Sequence, residues 1–147
     1  MYTTDRMGGF ISARIIETKN IESFAVISDK VEITLKPGMS FFDIDVKKYG
    51  ISPIVSVSKE KMGHIYEINL SISSKNRTGL KLKPFNKMIA ICKNSLGEEI
   101  VFGIPSFPLT GATSPIMSDR PEGEVGEIIS LTGRQPYYPY LLNTRSV

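Results

Sequence analysis

Few side chains in this sequence are equipped for covalent chemistry. There is one histidine, His64, and one cysteine, Cys92, in 147 residues. His64 follows Gly63 in a turn signal, and no sequence signature supplies the orienting carboxylate that a general base needs. An exposed turn histidine accounts for it. Cys92 closes the apolar run Ile89-Ala90-Ile91-Cys92, where a small buried hydrophobe is a better reading than a nucleophile. Asp43 and Asp45 have the spacing of carboxylates that share a divalent cation. Here they alternate with Phe42, Ile44 and Val46, so the solvated face of a strand explains the pair without a metal. Gly8-Gly9, Gly123 and Gly126 do not form a phosphate-cradling pattern, and neither HExxH, CxxC nor GxSxG occurs. The expectation is a protein with no catalytic residues, no cofactor and no metal.

Two stretches are better suited to binding. Lys75, Arg77, Lys81, Lys83, Lys87 and Lys93 form a basic run with no acid among its nineteen residues, a reasonable phosphate-binding stripe. Single-strand binders interleave such charges with stacking aromatics, and only Phe85 lies inside this run. A solvated or subunit-facing surface is the competing reading. The second stretch is Tyr137, Tyr138, Tyr140, Leu141 and Leu142. Tyrosine offers a large contact area with a polar tip and is enriched at interfaces, while Pro136 and Pro139 hold the segment extended. These five residues are the candidate subunit interface, against the alternative that the tail packs on its own domain.

The elements that must position these residues read as strands. Met88–Cys92 and Ile100–Phe102 flank Asn94-Ser95-Leu96-Gly97, which predicts a hairpin with a type I turn closed by a left-handed glycine. Val31, Ile33 and Leu35 alternate with polar residues, as do Phe42, Ile44 and Val46, and then Tyr66, Ile68, Leu70 and Ile72. Phe10–Ile16, Phe24–Ile27, Ile54–Val57 and Glu127–Thr132 complete the set, with breaks at Pro37-Gly38, at Tyr49-Gly50 with Pro53, and at Met62-Gly63. Residues 80–86 fit a strand, a helical turn or a loop equally. Nothing longer than twelve residues has helical spacing. The chain therefore predicts one all-β domain over 1–147, mainly antiparallel, a sandwich or barrel with at most a short helix. Residues 114–125 form a long loop in this reading, and 134–147 an extended C-terminal tail.

Charge is distributed unevenly. The net of +3 divides into −1 over residues 1–35, +7 over 36–93 and −3 over 94–147. Such asymmetry suits a nucleic-acid surface or head-to-tail contact between copies. No apolar run approaches the roughly 18–20 residues that span a bilayer, and the first residues lack the apolar block of a secretory signal. A lone cysteine allows no intrachain disulfide. Synthesis in the cytoplasm, away from membranes, is expected.

The punctuation of the second half adds a family resemblance. An apolar strand (MIAIC) and a turn ending in Gly-Glu (NSLGEE) lead into a strand that runs to GIPSFPL. The loop LTGATSPIMSDRPEGEVG, the strand IISLTG and the tail QPYYPYLL follow. With the opening GGFISARII, this resembles small structural proteins encoded in the morphogenesis clusters of tailed phages and prophages of gut Bacteroides-type bacteria, crAss-like phages included. Members are similar to neck, ring or tail-completion components that join head to tail. The resemblance implies a non-enzymatic virion protein forming a homo-oligomeric ring. Its expected partners are copies of itself, other neck or tail proteins, and DNA in transient passage through a channel. The alternative is a small barrel that binds single-stranded nucleic acid through 75–93.

Overall fold

Alternating segments become two packed sheets in the computed structural model, which describes residues 4–6, 9–28, 30–61, 63–75, 86–115 and 126–142. In chain order the strands are β1 (Thr4–Arg6), β2 (Phe10–Glu17), β3 (Ile21–Ile27), β4 (Lys30–Leu35), β5 (Phe42–Ile44) and β6 (Val46–Glu60). They continue with β7 (Gly63–Ser74), β8 (Met88–Asn94), β9 (Glu99–Phe102), β10 (Thr110–Pro115), β11 (Glu127–Gln135) and β12 (Tyr140–Leu142). Among the described residues the one helical element is a single 3-10 turn, Thr18–Asn20. A five-stranded sheet runs β1-β6-β7-β11-β10 and a seven-stranded sheet runs β3-β4-β12-β9-β8-β2-β5. Pairing is antiparallel except where β12 lies parallel to β4. The all-β expectation holds, with the larger sheet curled into a half-barrel.

Register places the alternating apolar residues on one shared face. In β7 and β11, Leu131 lies opposite Leu70 and Ile129 opposite Ile72. These side chains, with Ile68 and Val55, pack on Ala13 and Ile15 of β2, on Met88, Ala90 and Cys92 of β8, and on Phe102 and Leu109. Burying each Ile, Leu or Phe of this core contributes about 1.5–3 kcal/mol before entropy is counted. The other face of β8 is covered as well: Ile89 and Ile91 join Ile16 and Val101, roofed by Ile21, Phe24, Ile33, Leu35, Phe41 and Leu142. The run MIAIC shows no alternation because both of its faces are buried.

The curl follows from a short connection. β4 and β5 are five strand positions apart in the sheet, about 24 Å on a flat surface. Residues 36–41 join them and include a turn in which the Met39 N–H donates to the Lys36 carbonyl at 3.0 Å. A chain bent back at that turn reaches only about 21 Å, so the two ends of the sheet must approach. Phe41 thereby crosses the concave face, its ring 4.5 Å from the Arg14 guanidinium carbon.

The β8–β9 turn forms as its sequence predicts. Gly97 has φ 87°, a region open to glycine at little cost. The Asn94 side-chain oxygen accepts from the Leu96 and Glu98 N–H groups at 3.0 and 2.9 Å. Two expectations are corrected. Tyr49-Gly50 and Pro53 do not divide a strand: β6 continues through them, with a register shift between Val46 and Ile51. Gly50 permits it, since an added Cβ would meet the Lys47 and Ser73 carbonyls at 2.8 and 2.9 Å. Pro53 sits one residue outside the span that β1 pairs, Ile54 to Ser56, where its missing donor costs the ladder least.

The second correction concerns the tail. Arg134 and Gln135 belong to β11, and Tyr140–Leu142 is a strand between β4 and β9. Two otherwise open strand edges there supply the backbone partners that three residues flanked by proline cannot announce in sequence. Of the expected long loop, Ser114 and Pro115 lie in β10; residues 116–125, 80–85 and 143–147 fall outside the described residues.

Candidate functional site

Cys92 is fully buried among apolar side chains, and that burial pushes its thiol up to about 12. A thiol so protonated is no nucleophile near neutral pH. His64 is exposed on β7 opposite Lys59, in the other sheet from Cys92. Asp43 is exposed on the edge strand β5, and Asp45 lies 3.9 Å from the Lys75 ammonium. Among the described residues no group of three or more His, Cys, Asp or Glu could hold a metal, and no helix is long and apolar enough to cross a membrane.

The basic run is not gathered into one stripe within the described residues. Lys75 follows β7 and faces Asp45; Lys87 immediately precedes β8, and Lys93 lies near its far end, opposite Glu99. Lys87 and Lys93 are six positions apart along the strand, about 20 Å. Arg77, Lys81 and Lys83 lie outside the described residues.

The tyrosine segment, by contrast, is brought together. The Gln135 side-chain amide donates to the Tyr137 carbonyl at 2.7 Å, which fixes the exit from β11. Tyr138 then meets Tyr66 edge-on, ring centres 5.7 Å apart, and Tyr137 lies 6.0 Å from Tyr140. Burial, then the neighbouring Tyr137, raises the Tyr140 hydroxyl above the ordinary tyrosine range. Leu141 and Leu142 are half-buried within the sheet, so of the five residues Tyr137 and Tyr138 are the outward-facing ones, 50% and 37% exposed.

The structure adds residues to this surface that the sequence did not mark. A groove of about 630 Å³ beside Tyr137 and Tyr140 is lined by Ile21, Phe24, Val26, Ile104 and Pro105, with Glu22 its one charged side chain. On the other flank of the same tyrosines a second groove, about 480 Å³, is lined by Tyr66, Ile100, Pro136, Pro139 and Leu141. Val26 and Ile27 are 46% and 55% exposed. They lie on β3, the outermost strand of the seven-stranded sheet, which among the described residues is paired on one side only. The available signal was Phe24-Ala25-Val26-Ile27 itself, an apolar run without a charge or proline to blunt an open edge.

A second polar constellation lies on the concave face. Arg14 pairs with Glu99 at 3.3 Å and stacks on Phe41, bordering a groove of about 740 Å³ with Ile33, Leu35, Met39 and Leu142. Its Nε is buried without a partner and thus closed to a ligand in that groove. Comparison of the chain with protein-family models, with curated proteins and with solved structures found no match.

Proposed function

We propose that this chain is a non-catalytic structural subunit of a phage particle, one copy of a homo-oligomeric ring at the neck or tail. The observation that carries the reading is the edge of β3. An open strand edge presents unpaired backbone donors and acceptors, and proteins that stay monomeric blunt it with charge, proline or a cover. β3 instead offers Ala25, Val26 and Ile27 to solvent, and Val26 also lines the groove beside Tyr137 and Tyr140. Apolar surface of this kind suits a protein–protein contact. The resemblance of the second half to phage neck and tail-completion proteins supplies the setting. In it the partners are further copies, other neck or tail proteins and DNA passing through the ring, and the protein resides in the virion after synthesis in the host cytoplasm.

Single-strand nucleic-acid binding draws less support, because Lys75 and Lys93 have acidic neighbours in Asp45 and Glu99. Mass photometry and negative-stain microscopy of the purified chain at rising concentration test the proposal. Ring-shaped particles of uniform mass are expected. Compact monomers throughout, with no binding to other virion proteins of the same phage, would overturn it.

A further inference from the structure

β12 holds its place by little, yet the sheet depends on it. Tyr140 and Leu141 pair with Val101 and Ile100 of β9, and Leu141 and Leu142 with Lys30 and Val31 of β4. Among the described residues no other strand joins the β3–β4 hairpin to the rest of its sheet. All three β12 side chains are half-buried, whereas the register partners of Leu142 and Tyr140, Val31 and Val101, are 0% and 1% exposed. A strand with few contacts opens at low free energy. Its slot, however, cannot stand empty without wetting those valines and two strand edges.

We infer that β12 is an exchangeable strand: the slot between β4 and β9 takes Tyr140–Leu142 either from its own chain or from a neighbouring copy. This deepens the assembly reading and rests on it. A second copy restores every contact the first gives up, because the same residues enter the same slot, so exchange is inexpensive once copies are concentrated. The hinge is suited to it. Residues 136–139 join β11 in one sheet to β12 in the other, and Pro136 and Pro139 keep an outstretched arm extended rather than collapsed. Tyr137 and Tyr138, exposed on that hinge, are the groups a neighbour would cover. Reciprocal exchange closes a dimer; handing each arm to the next copy closes a ring.

A mixing experiment tests this with the full chain. Leu141 and Ile100 are register partners, but Cys92 lies opposite Ile100 on the other side, so the background carries Cys92→Ala. One tagged chain carries Leu141→Cys and a differently tagged chain carries Ile100→Cys. Neither can bridge internally, and a mixed disulfide forms only when the β12 of one occupies the slot of the other. The double variant in one chain, oxidised when dilute, gives the internally bridged reference. Exchange predicts a mixed-disulfide band that grows with concentration, alongside oligomers in sedimentation velocity. Oligomers without the mixed band would overturn exchange while leaving the assembly reading intact. Monomers without the band would overturn both.

Discussion

The middle and the rim of the seven-stranded sheet use the same kinds of residue to different ends. β8 runs Met88-Ile89-Ala90-Ile91-Cys92, every side chain buried; β3 ends Ala25-Val26-Ile27, every side chain exposed. Composition does not separate the two strands, but position does. β8 has a partner strand on each side, the five-stranded sheet beneath and the folded-over rim above. β3 has β4 on one side and, among the described residues, no strand on the other. The apolar surface of the middle is thus already used for folding. At the rim it stays exposed to solvent in the monomer.

The largest effect should come from breaking the middle. Phe102 is fully buried and meets Phe10 edge-on at 6.3 Å. Phe102→Ala should cost about 3–5 kcal/mol of unfolding free energy, read from urea denaturation. A loss below 1 kcal/mol would mean that the two sheets do not pack as described. Next in size is an alkaline effect at Cys92. Burial raises its folded pKa to about 12 against an ordinary 9.0. Below pH 9 both folded and unfolded chains hold the proton and the group changes nothing. Above it the unfolded thiol ionises first, so stability falls as pH rises from 9 toward 12, by about 2 kcal/mol at pH 10.5. Cys92→Ala should remove that part of the alkaline slope; an unchanged slope would place the thiol in water.

A smaller change is expected at the turn that closes the middle. Gly97→Ala forces a side chain into φ 87° and should cost about 1 kcal/mol. Its thermal midpoint would fall while association is untouched, which separates folding from assembly. The smallest stability change belongs to the rim. Val26→Lys together with Ile27→Lys should alter unfolding free energy by no more than about 0.5 kcal/mol, because exposed positions gain little from apolar side chains. A loss of several kcal/mol would show instead that the rim serves the monomer.

Much of the middle was legible in the sequence because its signals are local. Alternation over Tyr66–Ile72 and the Asn94–Gly97 turn each rest on neighbours a few residues apart. The half-barrel was not legible, since its cause is the length of 36–41 measured against a sheet order that sequence does not reveal. β12 was missed for a related reason. Its three residues acquire strand geometry from β4 and β9, more than a hundred and about forty residues earlier. Tyr137 and Tyr138 could be singled out by type as candidates for a contact, but the neighbouring Phe24–Ile27 edge looked like any other short strand. Exposure of an apolar strand is a property of sheet order, and periodicity carries no trace of it.

Whether the β3 rim drives association can be read from sedimentation velocity of the wild-type chain beside the Val26→Lys, Ile27→Lys variant over a wide concentration range. The wild type is expected to shift to larger species as concentration rises, and the variant to do so only at higher concentration, with an unchanged thermal midpoint. Identical profiles for the two proteins, whether both associate or both remain monomers, would contradict that expectation.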